Sequence, residues 1–372
     1  MASAAPALAS STRSARLARM ARIPVAIIGA SGYTGAELLR LLLPHPHVEV
    51  VGLYARKSAG EPIRRVFPHL APCDLVVESF DADAVAAKAK VAFTCLPHGD
   101  SALVVRQLYD RGLTVLDLSA DFRLRDPAAY KQWYGGHDHP EPALLEQAVY
   151  GLPERHRERL RGARLVACPG CYPTSAVLPL APLLAAGLVR SAGIVVDAKS
   201  GVSGAGRAPA QAYHFPDIAE GIRAYKIAGT HRHTPEIEQE LAAATGLPAR
   251  DLHLLFTPNL VPMTRGILAC CYALPTEREL PAHAYRDALV AAYAGEPFVT
   301  VVDADQPPDT AHVRGSNRAQ VGAWFDPRSE RVLAIGAIDN LTKGASGQAV
   351  QCMNLALGFD ETAGLLGGAM YP

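Results

Sequence analysis

The side chain with the strongest chemical signature is Cys171, within Cys168-Pro169-Gly170-Cys171-Tyr172-Pro173-Thr174. Residues 164–167 predict a strand, Pro-Gly predicts a turn, and residues 174–186 predict a buried helix. A cysteine at a helix N-terminus lies among unpaired N–H groups, which lower its pKa and favour the thiolate. The same N–H groups can hold an oxyanion. The pattern therefore indicates a nucleophile, and the alternative is an inert buried thiol.

Cys168 and Cys171 also form a C-x-x-C pair, which occurs in thioredoxin-like redox sites. The chain has seven cysteines, and no second pair or histidine set stands at zinc-type spacing. We expect reduced thiols and no metal site. Other motifs indicate a nicotinamide site in a separate domain, for which a redox pair has no use. We therefore interpret Cys168 as a packing residue and Cys171 alone as catalytic.

A candidate acid/base lies in Thr230-His231-Arg232-His233-Thr234-Pro235-Glu236, directly before a helix predicted to reach about residue 244. Histidine is suited to proton transfer near neutral pH. Metal binding by His231 and His233 would need a third ligand, which the sequence does not show. We expect one of the two to be the acid/base, with His231 slightly favoured, although either one alone is more often structural. Arg207, Arg232 and Arg265 are each suited to binding a carboxylate or a phosphate.

A glycine-rich turn near the N-terminus indicates a dinucleotide site. Residues 23–29 predict an apolar strand, residues 36–43 predict a helix, and the turn between them has the spacing G-x-x-G-x-x-G. Glycines let the backbone approach a pyrophosphate held at the helix N-terminus. A tight structural turn is the alternative. The predicted cofactor contacts are Gly29, Ser31, Gly32, Tyr33, Thr34 and Gly35.

The residues after the second predicted strand, 48–54, indicate which dinucleotide binds. A site that prefers NAD places an acidic residue here, whereas Arg56, Lys57 and Ser58 suit a 2′-phosphate. The predicted cofactor is NADP(H), against the alternative of a solvated basic loop. A further strand, predicted at residues 91–96, brings Pro97 to the same edge of the sheet, where ligands of parallel sheets gather.

Alternating strands and helices up to about residue 120 predict an α/β, Rossmann-type domain with a parallel sheet. Residues 125–164 are rich in Pro, His and Tyr and are predicted to be an irregular connector. The later part has many strands and few helices, which predicts an α+β domain with a mostly antiparallel sheet. Its strands are expected at residues 193–198, 252–257, 265–274, 299–302, 320–326 and 331–338.

The last segment carries Asn340, Lys343 and Gly344 at the start of a long apolar helix. We expect this helix to return to the first domain and close over the cofactor, which adds these three residues to the predicted cofactor contacts. The predicted domains are residues 21–165 for NADP binding, residues 166–338 for catalysis and oligomerisation, and residues 339–372 for the returning helix.

Charge and hydropathy exclude several function classes. Lys plus Arg equals Asp plus Glu at 36 each, so nothing favours nonspecific binding to nucleic acid or to a membrane surface. No apolar run reaches the length of a membrane span. Residues 1–20 contain no acid, which fits an organellar transit peptide or a start extended upstream of Met20. We favour an extended start or a disordered tail, and we expect a cytoplasmic protein.

Four motifs together resemble the N-acetyl-gamma-glutamyl-phosphate reductases of arginine biosynthesis, a family whose architecture is similar to aspartate-semialdehyde and glyceraldehyde-3-phosphate dehydrogenases. They occur in the family's order and span nearly all of residues 22–372, although none is specific alone. The family's members are usually homo-oligomers, commonly tetramers. The motifs are Gly29-Ala30-Ser31-Gly32-Tyr33-Thr34-Gly35, Pro169-Gly170-Cys171-Tyr172-Pro173-Thr174, His231-Arg232-His233-Thr234-Pro235-Glu236-Ile237 and Lys343-Gly344-Ala345-Ser346-Gly347-Gln348-Ala349.

The resemblance implies NADPH-dependent reduction of N-acetyl-glutamyl 5-phosphate to the 5-semialdehyde, with Cys171 forming a thioacyl enzyme and His231 or His233 moving protons. It also implies candidates for binding the substrate's carboxylate and phosphate: Arg123, Ser203, Arg207 and Arg265. One alternative is the lysine-pathway homologue that reduces a carrier-bound aminoadipyl phosphate, although Tyr172-Pro173 argues against it. Another is an NADP-binding regulator without catalytic activity.

Overall fold

The computed structural model describes residues 22–71, 73–277 and 280–371, and within these residues the strands form two sheets. The tail or extended start expected over residues 1–20 lies outside the described residues. The first sheet is parallel throughout and has the order β3-β2-β1-β4-β5-β7-β6. This confirms the predicted Rossmann-type architecture. Its strands are β1 Ile23–Ile28, β2 Val48–Tyr54, β3 Val77–Glu78, β4 Val91–Thr94, β5 Thr114–Asp117, β6 Val149–Tyr150 and β7 Leu165–Ala167.

Helices cover both faces of the first sheet because its strands are apolar on both sides. On β1, Val25 and Ile27 belong to one buried cluster, whereas Ala26 and Ile28 belong to another on the opposite face. The helices up to residue 160 are α1 Tyr33–Leu42, α2 Ile63–Val66, α3 Ala82–Lys88, α4 Ser101–Asp110, α5 Pro127–Trp133, α6 Pro142–Leu145 and α7 Pro153–Leu160.

Two local predictions in this domain were wrong. Helix α1 begins at Tyr33, three residues before the predicted start, and Gly32 is the residue that precedes the helix. Residues 125–164 are not an irregular connector, since they contain α5, α6, β6 and α7. The prolines that suggested loops there are the first residues of three helices, a position where the missing N–H costs nothing.

The second sheet has the order β12-β13-β14-β11-β8-β10-β9 and is mixed. Antiparallel pairs join β9 to β10, β8 to β11, β11 to β14 and β13 to β14, whereas β8 pairs with β10 and β12 with β13 in parallel. The prediction of a mostly antiparallel sheet is confirmed. Its strands are β8 Ile194–Ser200, β9 Arg223–Ala224, β10 Leu254–Leu260, β11 Ile267–Ala273, β12 Val299–Val301, β13 Ala319–Asp326 and β14 Arg331–Ile338.

Within residues 22–71, 73–277 and 280–371, helices cover only one face of this second sheet. On β11, Ala269 and Cys271 are buried in the core that the sheet shares with three helices, whereas Leu268, Cys270 and Tyr272 on the other face retain access to solvent. The covering helices are α8 Cys171–Ala185, α10 Thr234–Thr245 and α11 Ala284–Ala292, and the short α9 Phe215–Ile218 lies in an exposed loop.

The chain ends with a π-helical turn, Thr342–Ser346, followed by α12 Gly347–Ala356. Ala349, Val350 and Met353 of α12 are buried in the same cluster as Val25 and Ile27 of the first sheet. The segment that leaves the second sheet at β14 therefore packs against the first sheet. This segment packs beside Cys171, and Cys171 lies at the point where β7 leads into α8.

Candidate active site

Cys171 is the first residue of α8, directly after the turn that follows β7. Gly170 before it is extended, with φ −70° and ψ 154°, and provides no side-chain cap. The thiol therefore lies beside the uncapped N–H groups of the helix. Gly344 of the π-helical turn packs against it, since a Cβ there would stand 2.8 Å from the Cys171 Cβ. Only a glycine lets the returning chain approach this closely.

The predicted charge state of Cys171 was wrong for the free protein. Burial raises the pKa of its thiol to about 11, and the positive charge of Arg123 opposes this shift without cancelling it. The prediction considered how the helix N-terminus lowers the pKa of the thiol, but it left out how the loss of hydration around the sulfur raises this pKa. At pH 7 the thiol is protonated, so its attack on an acyl carbon requires a base.

A buried arginine holds the turn before Cys171. Arg123 donates from Nε to the Cys168 carbonyl at 2.7 Å and from Nη2 to the Leu118 carbonyl at 2.8 Å. Its Nη1 lies 3.4 Å from Glu236 Oε2. Every nitrogen of this guanidinium thus has a partner within the protein. Arg123 supplies positive charge beside the thiol, and its predicted role as a direct substrate ligand competes with these contacts.

His231 and His233 are both buried next to the same turn. A Cβ on Gly170 would stand 2.6 Å from His233 Nε2, so this imidazole lies against the residue that precedes Cys171. The backbone N–H of His233 donates to His231 Nδ1 at 3.1 Å. This bond places the proton of a neutral His231 on Nε2. His231 Nε2 makes no hydrogen bond to any residue that the structure describes, which leaves it available to a substrate.

Both imidazoles are neutral at pH 7 in the free protein. Burial lowers the pKa of His231 to about 3, and Lys226 and Arg232 add to the shift. Burial also holds the pKa of His233 well below its usual value, with further contributions from His231 and Arg123. A bound anion would oppose these shifts, because negative charge favours the imidazolium form. Among residues 22–71, 73–277 and 280–371, no three His, Cys, Asp or Glu side chains are grouped as metal ligands.

The glycine turn has the geometry of a dinucleotide loop. Gly29 has φ +88°, and a Cβ there would collide with the Cys95 carbonyl. A Cβ on Gly35 would stand 2.7 Å from Ala30 Cα. Gly32 precedes α1 without a side-chain cap, so the first N–H groups of the helix are open to an anion. Ser31 lies in the turn, and Tyr33 and Thr34 are the first two residues of the helix.

The other predicted cofactor residues of the first domain lie at the same sheet edge. Arg56, Lys57 and Ser58 follow β2, and Pro97 follows β4; both strands flank β1 in parallel, so their carboxyl ends meet. The Arg56 side chain is 87% exposed and lies 3.7 Å from Asp100. An exposed pair of this kind is weak, which leaves the guanidinium available to a phosphate.

Two predicted substrate residues lie across from the glycine turn. Arg207 donates to the carbonyls of Ser31 and Val66 at 3.2 and 3.4 Å. Ser203 accepts a hydrogen bond from Asn340 Nδ2 at 3.0 Å. Ser203 and Arg207 line a cavity of about 990 Å³ that extends to Tyr33 at the start of α1, and its lining also includes Met263, Arg265 and Leu341.

The structure gives other partners to two predicted ligands. Lys343 is fully buried, and its Nζ lies 2.6 Å from Glu154 Oε1 and 2.8 Å from Gln351 Oε1. Its ammonium is therefore paired within the protein, and a contact between Lys343 and the cofactor stays a prediction. Arg265 donates to Glu37 at 2.8 Å and approaches Asp339 at 3.5 Å. Two buried carboxylates thus neutralise the guanidinium that was predicted to bind substrate.

Glu236 is a site residue that the sequence did not single out. It is fully buried in the first turn of α10, where a glutamate is ordinarily explained by the helix dipole. Its oxygens instead accept from Tyr150 and from the Gly170 N–H, each at 2.8 Å, in addition to facing Arg123. The one signal in the sequence was its place in the motif that contains the two histidines.

Most of the chain matches known domain families. Residues 24–163 match the NAD-binding domain of semialdehyde dehydrogenases, and residues 171–340 match the dimerisation domain of semialdehyde dehydrogenases. An N-acetyl-gamma-glutamyl-phosphate reductase from Desulforudis audaxviator is 52% identical over 94% of this chain and 100% of its own. Another, from Symbiobacterium thermophilum, is 51% identical over 94% of this chain and 99% of its own.

Solved structures share the fold at low identity. Aspartate semialdehyde dehydrogenase II from Vibrio cholerae superposes with a TM-score of 0.68 at 19% identity, covering 90% of this chain and 98% of its own. Aspartate semialdehyde dehydrogenase with NADP from Candida albicans gives a TM-score of 0.65 at 17% identity, covering 91% of this chain and 98% of its own. At these identities the likeness establishes the architecture.

Proposed function

The chain belongs to the N-acetyl-gamma-glutamyl-phosphate reductases of the semialdehyde dehydrogenase family, and on this basis we propose that it acts in arginine biosynthesis. It reduces N-acetyl-L-glutamyl 5-phosphate to N-acetyl-L-glutamate 5-semialdehyde with NADPH and releases phosphate. The observation that supports the roles of individual residues is the meeting of Cys171, His231 and His233 at one buried turn. This turn continues from β7 of the cofactor-binding sheet.

The glycine turn and the basic residues after β2 fit NADP(H). The backbone approach at Gly29 and Gly35 and the uncapped start of α1 suit a pyrophosphate, and Arg56 with Ser58 suits a 2′-phosphate. Asn340 and Gly344 lie on the returning segment, where Asn340 bonds to Ser203 and Gly344 packs against Cys171, and both remain candidate cofactor contacts. The chemistry that NADPH supplies when bound is donation of a hydride to the acyl carbon.

Cys171 performs the covalent step. Its sulfur attacks the 5-carbonyl carbon, a C–S bond forms, the C–O bond to phosphate breaks, and inorganic phosphate leaves. The N–H groups at the start of α8 stabilise the negative oxygen of the tetrahedral intermediate. The product of this step is a thioester on Cys171. After reduction of the acyl carbon, the C–S bond breaks and the aldehyde is released.

His231 moves the protons. Its Nε2 is the ring atom without a partner among the described residues, and the bond from the His233 N–H fixes its orientation. A neutral His231 carries its proton on Nε2, so this N–H donates a proton to the oxygen of the hemithioacetal on Cys171 and takes it back when the C–S bond breaks and the aldehyde leaves. The thiol proton is taken up by the leaving phosphate, whose oxygens are the base that the protonated thiol requires. His233 packs against Gly170 and thereby fixes the distance between the turn and His231.

Substrate anions are held by residues around the cavity opposite the glycine turn. Ser203 and Arg207 line this cavity directly, and Arg207 is exposed to solvent. Arg123 contributes positive charge from the buried side of the turn. Arg265 also lines the cavity, but Glu37 and Asp339 already neutralise its guanidinium, so it supports this wall of the cavity rather than binding the substrate anion itself.

The open face of the second sheet supports a homo-oligomer. On this face Tyr272 is opposite Val195 on one neighbouring strand and Leu333 on the other, which makes an apolar surface on a domain that matches a dimerisation family. We assign it to a second copy of this chain in a dimer or a higher homo-oligomer. No helix within the described residues is long and apolar enough to cross a membrane, and all seven cysteines are free thiols. Free thiols are consistent with a cytoplasmic location.

Oxidation of NADPH with two acyl phosphates tests this function. We expect turnover with N-acetyl-glutamyl 5-phosphate, release of one phosphate per NADPH, and loss of turnover in Cys171→Ser. Preference for a carrier-bound aminoadipyl phosphate would assign the chain to the lysine-pathway alternative. Tight NADPH binding without turnover of either substrate would indicate a regulator instead.

A further inference from the structure

One buried carboxylate joins the cofactor helix α1 to two distant parts of the chain. Glu37 is 3% exposed and lies in α1, two residues after Gly35 of the glycine turn. Its Oε2 accepts from Arg265 Nη2 at 2.8 Å, and its Oε1 accepts from the Thr342 hydroxyl at 2.9 Å. Arg40 of the same helix donates to both oxygens. Helix α1, the loop before β11 and the π-helical turn thus meet at one side chain.

The contact with Arg265 leads to the wall of the proposed substrate cavity. On one side of Arg265, the Thr264 carbonyl accepts from the Ser203 N–H at 3.2 Å. On its other side, the Gly266 N–H donates to Asn340 Oδ1 at 2.8 Å, and Asn340 Nδ2 donates to the Ser203 hydroxyl at 3.0 Å. The residues around Ser203 are therefore bonded to one another and, through Arg265, to α1.

The contact with Thr342 leads to the π-helical turn beside Cys171. Thr342 is the first residue of this turn, and Ser346 is the last. The Ser346 hydroxyl donates to the Thr34 carbonyl of α1 at 2.9 Å. Both ends of the turn that places Gly344 against Cys171 are therefore bonded to the cofactor helix.

The contacts of Glu37 are ionic at pH 7. Burial would raise the pKa of Glu37, but hydrogen bonds from Arg40 and Arg265 hold this pKa at about 2. Arg265 also lies 3.5 Å from the fully buried Asp339, so two cations meet two carboxylates. Hydrogen bonds between charged partners are stronger than those between neutral ones. The arrangement is therefore already formed in the free protein.

We propose that Glu37 is a positioning residue, which holds the cofactor helix and the substrate cavity in one arrangement before either ligand binds. This role rests on the proposed function, in which NADPH binds at the start of α1 and the acyl phosphate binds at the cavity. Ligands of a preformed site bind independently, because neither has to order the protein for the other. Without the Glu37 charge, the first ligand must restore the arrangement and the second benefits from it. Removal of this charge therefore creates cooperativity that the wild type lacks.

The test compares Glu37→Gln with Glu240→Gln. Glu240 is a matched control, since it is also fully buried and binds cations of the other domain, Arg125 and His156, from α10. The Kd of NADPH is measured by its fluorescence on the full-length protein, alone and with saturating N-acetyl-glutamate. This probe carries the acetyl group and the carboxylate of the substrate but no phosphate leaving group, so Cys171 is not acylated.

We expect Glu37→Gln to bind NADPH about tenfold more weakly than the wild type when no other ligand is present. If the competent arrangement falls to about a tenth of the molecules, the apparent Kd rises by the same factor. Saturating N-acetyl-glutamate should restore the Kd to within about twofold of the wild type, because it has already ordered the site. By linkage, NADPH should tighten N-acetyl-glutamate binding by the same factor. In the wild type and in Glu240→Gln, we expect less than about twofold coupling between the two ligands.

An unchanged Kd in Glu37→Gln would overturn the proposal. A Kd that is weakened equally with and without N-acetyl-glutamate would also overturn it, since that result indicates local damage to α1. The same coupling in Glu240→Gln would remove the specific role of Glu37. If Glu37→Gln does not fold, Thr342→Val decides, because it removes one bond to Glu37 and keeps both arginines. In that variant the Kd should rise about threefold, with the same recovery.

A failure of the proposed function gives a different result, since N-acetyl-glutamate would then not bind the wild type in calorimetry. Hydrogen exchange decides the inference in that case, because it needs only the cofactor. The amides of residues 341–346 should exchange faster in Glu37→Gln than in the wild type, and bound NADPH should slow them to the wild-type rate. Equal exchange in the two free proteins would overturn the proposal.

Discussion

Gly170→Ala isolates the spacing between Cys171 and the histidine pair. Gly170 has φ −70° and ψ 154°, which alanine adopts without strain, so the backbone itself tolerates the change. The added methyl would stand 2.6 Å from His233 Nε2 and 3.0 Å from Arg123 Nη1. The first of these distances is well inside ordinary van der Waals contact, which begins at 3.4 Å. Either the turn or the imidazole must move by nearly an ångström.

We expect this movement to affect rate more than stability. Overpacking of this size costs roughly 1–3 kcal/mol of folding free energy. The same displacement of a reacting group lowers kcat/KM by about 100-fold. The assay is NADPH oxidation, with urea unfolding measured on the same preparations. Gly221→Ala serves as the control, since the nearest atom to its added Cβ is 4.0 Å away. Gly170→Ala with the kcat/KM of the wild type would refute the inference that His233 and Gly170 set the site geometry.

Three further predictions test the cofactor edge, the contact between domains and the open sheet face. Arg56→Ala should raise the KM for NADPH about tenfold and leave the KM for NADH unchanged, because only NADPH carries a 2′-phosphate; Arg328→Ala, equally exposed on the second domain, should change neither. Burial alone would raise the pKa of Glu37, but hydrogen bonds from Arg40 and Arg265 hold this pKa at about 2. Glu37 therefore contributes about 3 kcal/mol to the free energy of unfolding above pH 4.5, and this contribution is lost as the pH falls toward 2. Glu37→Gln should therefore unfold at lower urea than the wild type at pH 7, and the difference should vanish near pH 2; a constant difference would contradict the assigned ion pairs. Tyr272→Glu should yield smaller oligomers by light scattering, whereas Leu103→Glu, also exposed but on the first domain, should not.

The first domain could be predicted from the sequence because its signals are local. The strand, glycine turn and helix around Gly29 follow one another in the chain, and close contacts require glycine at two of the three glycine positions, Gly29 and Gly35. The position of Cys171 at a helix start was predictable for the same reason. The prolines of residues 125–164 misled the prediction because proline opens a helix as readily as it interrupts one.

Features that depend on distant partners could not be predicted. In the sequence Lys343 is a candidate phosphate ligand, but in the fold it is neutralised by Glu154, which is 189 residues away in the chain. The pKa of Cys171 depends on how fully the fold buries the sulfur, which no local pattern reports. Glu236 likewise acquires its contact with Gly170 across 66 residues. Each of these contacts forms only when the two sheets meet.

A reaction without cofactor tests the covalent role of Cys171 most directly. Enzyme mixed with N-acetyl-glutamyl 5-phosphate and no NADPH should release a burst of one phosphate per active site. Intact-mass analysis should then show the N-acetyl-glutamyl group on the peptide that contains Cys171, and Cys171→Ser should show neither the burst nor the added mass. A wild-type burst without a labelled cysteine, or the same burst in Cys171→Ser, would contradict the covalent role of Cys171.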